Sequence, residues 1–159
     1  MTDLSAFSED ELDLITETPG AVLKGAIAAD GSTNALAFLK EVTAGAKVFK
    51  QAQSHDNGFV KAVALAIRER VKPEEEDREV PFADGAMALA LKQTGEAMAL
   101  LREKAPEADA DAYAAWLITL ATQVAEASKS KSGGFFSKKV AVTEAEQGFI
   151  DDLSQLAAR

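Results

Sequence analysis

Cysteine is absent, so disulfides, thiolate metal sites and cysteine nucleophiles are excluded, and a reducing compartment is permitted. Histidine occurs once, as His55 beside Asp56. That pair invites comparison with metal-dependent phosphohydrolases, but such centres need several imidazoles or a group of inward carboxylates, so His55-Asp56 reads as a turn and cap. β-branched and aromatic residues are sparse against 32 alanines, and turn residues come in clusters rather than at the even spacing of short strands. That argues against any sheet. No apolar run is long enough to cross a bilayer: Ala110 to Ala125 is broken by Asp111, Thr119, Thr122 and Gln123 and falls short of the roughly 20 residues required. The first residues, MTDLSAFSEDELDLI, carry acids where a secretory signal needs bases, and the expectation is a cytoplasmic protein.

Positive charge is also scarce. With 17 basic against 26 acidic residues, a formal charge of −9 and a pI near 4.7, the chain as a whole repels phosphate backbones and anionic membranes. Nucleic-acid binding is disfavoured unless confined to a patch. Walker A, GxGxxG, GxSxG and HExxH sequences are missing, which lowers the prior for the common phosphate, dinucleotide, hydrolase and zinc-protease chemistries.

What is present is helical. The chain, 159 residues and 16.8 kDa, is one domain by size and long enough to bury roughly two-thirds of its unfolded surface. Tyr113, Trp116, Leu117, Leu120 and Val124 fall on one helical stripe, which predicts a central helix from Asp109 to Ser130, capped by Asp109 or Asp111. Ser8 with Glu11 forms a capping box for a first helix running to Glu17. Thr18-Pro19 ends that helix and Pro19 opens the next, with Val22, Leu23, Ala26 and Ile27 inward and Gly31 as C-cap. A third helix from Asn34 to Gln53 carries Leu39, Val42, Ala46 and Phe49 on one face, with Gly45 marking a close crossing. After the turn at residues 54–58, Phe59, Val60, Val63, Ile67 and Val71 stripe a fourth helix that Pro73 stops.

Residues 72–81, with five acids, two bases and two prolines, read as an exposed acidic linker. Asp84 caps a fifth helix with Met87, Leu91, Thr94, Met98 and Leu101 on one side; the methionines read as core, not cofactor ligands. Beyond the central helix and a loop at 129–142, Thr143 and Glu146 form a second capping box ahead of Phe149, Ile150, Leu153 and Leu156. The predicted fold is a single-domain, all-α compact bundle of six or seven helices.

Two stretches could carry function. In DGSTNALAFLKE, residues 30–41, Asp30, Ser32, Asn34 and Glu41 occupy positions 1, 3, 5 and 12 of a calcium-loop spacing. Position 6, where the sharp turn needs glycine, is Ala35, and the competing reading is a plain helix end and cap. In SKSKSGGFFSKKVAV, residues 128–142, four lysines and no acid surround Phe135-Phe136. Lys131, Phe135, Phe136, Lys138 and Lys139 resemble an aromatic wedge with basic shoulders, suited to an anionic partner, a phosphate group or a membrane surface. The alternative there is that the phenylalanines fold back on the last helix while the lysines solvate the loop.

The stretches TPGAVLKGAIAADGS, GGFF and TEAEQGFIDDL resemble those of small, uncharacterised all-helical bacterial proteins. The AADG stretch with a later acid is also similar to the helical domain of tellurite-resistance TerB-like proteins, matching at Asp30, Gly31 and Glu41. Ala37, Phe38 and Leu39 stand where that pattern has room for more acids. The resemblance implies a compact helical bundle that binds divalent cations through acidic residues and acts in stress-associated assemblies. Taken together, the sequence reads as a non-enzymatic binding or assembly protein, with a protein partner and no required cofactor. The rival from another class is a divalent-metal-binding protein or carboxylate-metal enzyme using Asp30, Glu41 and acids of the Glu74 to Asp77 run.

Overall fold

The computed structural model describes residues 4–30, 35–70, 85–127 and 144–158, with side chains at all of these except 30, 35–41 and 144–145. After one 3-10 turn, Leu4–Ala6, six α-helices follow among the described residues: α1 Glu9–Asp30, α2 Ala35–Ala52, α3 Gly58–Arg70, α4 Gly85–Lys104, α5 Glu107–Ala127 and α6 Glu144–Ala158. The described residues contain no strand, and the all-α bundle is as the composition predicts. The acidic run 72–81 and the Thr143 cap lie outside the described residues.

α1 starts where the sequence says it should. The Ser8 amide donates to Glu11 Oε2 at 2.8 Å while the Glu11 amide donates to Ser8 Oγ at 3.3 Å, so each residue covers an amide the helix leaves open. Lys104 from the end of α4 donates to the other Glu11 oxygen at 2.6 Å. That hydrogen bond, and then the Ser8 amide, hold the Glu11 carboxyl below the usual carboxylate range. Its contribution to the fold is present above that range and is lost as the pH falls through the depressed value.

The predicted break at Thr18-Pro19 does not occur: α1 runs through Pro19 as one helix of 22 residues. A proline inside a helix removes the amide that would bond the carbonyl four residues back, a cost of about 3 kcal/mol. The carbonyl concerned is that of Ile15, and the Tyr113 hydroxyl on α5 donates to it at 2.8 Å. Ile15 and Tyr113 are both wholly buried, so the bond forms out of water. Thr16 and Thr18 turn their hydroxyls back onto the carbonyls of Leu12 and Leu14, at 2.7 and 2.6 Å, so the buried polar groups flanking the proline are also matched.

Two helices therefore share the centre. α1 and α5 each touch the other and all four remaining helices. α5 buries Tyr113, Trp116, Leu117, Leu120 and Val124 as its stripe predicts, and α1 buries Ile15, Val22, Ala26 and Ile27 in the same core. Four ring contacts with centroids 5.8 to 6.2 Å apart thread the interior, from Phe7 to Phe59, Tyr113, Trp116 and Phe49. Met98 is core as predicted, with Ala90, Thr94, Ala97 and Leu101 beside it on α4.

Glycine permits the closest approaches. A β-carbon on Gly45 would come within 2.5 Å of Leu23 Cδ1, and one on Gly25 would lie 2.8 Å from Phe149 Cζ and 3.0 Å from the Ala90 methyl. Gly45 marks the predicted crossing, and it also corrects the α2 stripe. Its inward set is Gly45, Val48 and Ala52, with Val42 and Phe49 half-buried, while Ala46 faces solvent.

α5 begins at Glu107, after Pro106, which places Asp109 and Asp111 inside the helix instead of at its cap. Asp111 pairs with Arg102 of α4 at 2.7 Å, and the same guanidinium donates to the Ala157 carbonyl of α6 at 2.8 Å, tying three helices at one end. Asp109, buried, accepts from the Asn57 side-chain amide at 3.0 Å.

Burial raises the Tyr113 phenol above its ordinary range, with the neighbouring Thr18 hydroxyl opposing that rise. The unfolded chain ionises the same phenol at about pH 10, so the stability it confers is complete below that pH and is lost as the pH rises beyond it. Tyr113 is the only tyrosine. An alkaline titration should therefore show no tyrosinate absorbance until helical circular dichroism collapses; ionisation near pH ~10 with helices intact would contradict the burial. In a second test, Gly25→Ala should lower stability by roughly 1–2 kcal/mol through overpacking against Phe149. Gly148→Ala, at an open helical position, should raise it by up to about 1 kcal/mol, both read from thermal melts.

Candidate functional site

Asp30 is the last residue of α1 and Glu41 lies within α2. Because α2 already runs from Ala35, residues 35–41 of the twelve-residue calcium spacing are helix rather than loop. The Asp30 and Glu41 side chains, the Glu74 run, and Lys131, Phe135, Phe136, Lys138 and Lys139 all fall outside the described residues. Among the described residues, no three His, Asp or Glu side chains gather closely enough to hold a metal ion.

The turn at residues 54–58 launches α3 as the sequence suggests, but its cap is Asn57 rather than the His55-Asp56 pair. Asn57 caps α3, its Oδ1 accepting from the amides of Phe59 and Val60 at 3.0 Å each. The Asn57 amide donates to His55 Nδ1 at 2.9 Å. That bond assigns the ring proton of a neutral His55 to Nε2. Through Asn57 the turn is then anchored to Asp109 on α5.

Among the described residues, a concave surface lies next to this turn, between α2 and α5. A small open pocket of about 150 Å³ has Val48, Ala52, Ala115 and Trp116 as its apolar part and Gln51, His55 and Thr119 as its polar part. Val48, Gln51 and Thr119 also line an outer groove of about 510 Å³, which continues past Lys47 and Gln123 to Glu126 and Ala127 at the end of α5. Trp116 is 4% exposed, yet its indole Nε1 has no hydrogen-bond acceptor. Its ring is held edge-on to Phe49 on one side and Tyr113 on the other.

Gln51 and Thr119 each offer a donor and an acceptor in this pocket, and His55 its Nε2–H, over a floor of Val48, Ala52 and Trp116. Sequence periodicity was enough to turn Trp116 inward. Its missing acceptor and its meeting with His55, more than sixty residues earlier in the chain, are tertiary facts with no local signal.

No helix among the described residues is long and apolar enough to cross a membrane. No family model, curated protein or solved structure matches the chain.

Proposed function

We propose that this is a non-enzymatic binding or assembly protein of the cytoplasm, of the stress-associated kind its TerB-like resemblance implies. It contacts an anionic protein partner, or an anionic membrane surface, through Lys131, Phe135, Phe136, Lys138 and Lys139. The supporting observation is how charge and rings are divided along the chain. Among the described residues, Phe7, Phe59, Tyr113, Trp116 and Phe49 are engaged with one another in a chain of ring contacts. The stretch 128–142, which follows directly on Ala127 at the end of α5, holds four lysines, two phenylalanines and no acid in a chain of net charge −9. A local positive field on an acidic body favours an anionic partner and speeds its encounter.

Glu11 is held by a helix cap and an ion pair, and Tyr113 by burial against α1, so both pKa shifts come from building the fold.

Replacing Phe135 and Phe136 together by serine should weaken capture of the partner, or of anionic vesicles, several-fold while changing stability by no more than about 0.5 kcal/mol. A melting point lowered by many degrees would place both rings in the core and end the contact reading. Against the rival metal reading, calorimetric titration with calcium, magnesium and manganese should give no binding heat at millimolar metal. Saturable heat that Asp30→Asn and Glu41→Gln abolish would instead establish the cation site.

A further inference from the structure

We infer that Asn57 is a latent site of spontaneous deamidation: its capping bonds keep it intact while the turn at residues 54–58 is closed, and its conversion to aspartate or isoaspartate, once the turn opens, irreversibly uncouples α3 from α5. Of the two asparagines in the chain, Asn34 precedes alanine and Asn57 precedes Gly58. Without a side chain, Gly58 leaves its backbone nitrogen sterically open. As the first residue of α3 its amide also donates to no carbonyl of its own helix. Ser54 and Asp56 beside it are exposed and Asn57 is half-buried, so water reaches the turn.

The chemistry needs only that water. The Gly58 amide gives up its proton and its nitrogen attacks Asn57 Cγ; ammonia leaves and a succinimide ring closes. Water then opens the ring at either carbonyl. One cleavage returns the ordinary backbone with an aspartate side chain, and the other routes the backbone through Cγ as isoaspartate. The net change is an amide and water giving a carboxylate and ammonium, with nothing oxidised or reduced.

The closed turn opposes the first step. Asn57 Oδ1 accepts from the Phe59 and Val60 amides, and Nδ2 donates to Asp109 Oδ1, all at 3.0 Å. The Asn57 backbone amide donates to His55 Nδ1 at 2.9 Å. Bringing Cγ onto the Gly58 nitrogen swings both side-chain atoms out of these positions, so the reaction waits for the turn to open. Each such bond shifts the closed-to-open ratio by about two- to tenfold, and the three side-chain bonds together protect by at least about tenfold. The product cannot resume the same contacts. Aspartate at this position can still cap α3, but it has lost the donor that met Asp109, and two carboxylates then face each other where Asp109 is buried. Isoaspartate lengthens the backbone by one carbon, and the cap is lost as well.

The intact protein would be incubated in mildly alkaline buffer, with and without denaturant. The tryptic fragment Gln51–Lys61 would be followed by mass spectrometry and by chromatographic separation of its aspartate and isoaspartate forms. The expected result is full conversion at Asn57 in denaturant and conversion at least about tenfold slower in the folded protein. Asp109→Ala leaves that fragment unchanged and His55→Ala releases the Asn57 amide. Each should speed the folded reaction at least about threefold relative to its own rate in denaturant, and if one variant fails to fold the other decides. Asn57→Asp, which is one of the two products, should melt several degrees below the parent. In an Asp109→Asn background, where residue 109 supplies the donor, the same change should leave the melt nearly in place. The inference is overturned if folded and denatured protein react at like rates, if no folded variant reacts faster than the parent, or if Asn57→Asp melts with the parent.

Discussion

The hydrogen bond from the Tyr113 hydroxyl to the Ile15 carbonyl is the constraint on which the rest of the bundle depends. Pro19 cannot supply the amide that an uninterrupted helix would direct at that carbonyl, so α1 carries an unpaired acceptor at its middle. Left buried and unpaired, it would cost about 1–3 kcal/mol, enough to favour ending the helix at Thr18. α5 brings the one tyrosine of the chain to that point. The defect in one helix and the polar tip on the other fix their relative position along both axes, which apolar packing alone specifies loosely.

Around that contact the packing is graded by side-chain size. Large rings run through the middle from Phe7 to Phe49, while Gly25 and Gly45 let α6, α4 and α2 approach α1 more closely than any side chain would permit. The polar contacts sit at the ends of elements: the Ser8 and Glu11 box with Lys104, the Asn57 cap with Asp109, and Arg102 between Asp111 and the end of α6. The exposed ion pairs among them contribute little each and act mainly to fix the register of neighbouring helix ends. The α2–α5 side is different in kind: its groove is open, and the buried indole N–H of Trp116 beside it has no acceptor.

Local signals were readable in the sequence wherever the partner lies within a turn or two. Ser8 with Glu11, the turn at residues 54–58 and the Tyr113 to Val124 stripe need only near neighbours in the chain. Pro19 misleads because the group that makes it tolerable, the Tyr113 hydroxyl, is 98 residues beyond the Ile15 carbonyl that it serves. Asp109 misleads because it resembles a cap by position, whereas Asn57, on another helix junction, takes its carboxylate. Ala46 fails to face inward because Gly45, with no side chain to register in the periodicity, is the residue that packs on Leu23. For the site, the inward turn of Trp116 was legible and its lack of an acceptor was not, since the latter is a property of three elements meeting.

The pairing of α1 with α5 makes a claim about coupling that a double-mutant cycle on Pro19 and Tyr113 tests most directly. With Pro19 in place, Tyr113→Phe strands the Ile15 carbonyl and should cost about 1–2 kcal/mol in denaturant unfolding. In the Pro19→Ala background the new amide satisfies that carbonyl, and the same change should cost under about 0.5 kcal/mol, a coupling near 1 kcal/mol. Equal costs in the two backgrounds would show that the hydroxyl does not serve the gap left by the proline, and would contradict the account.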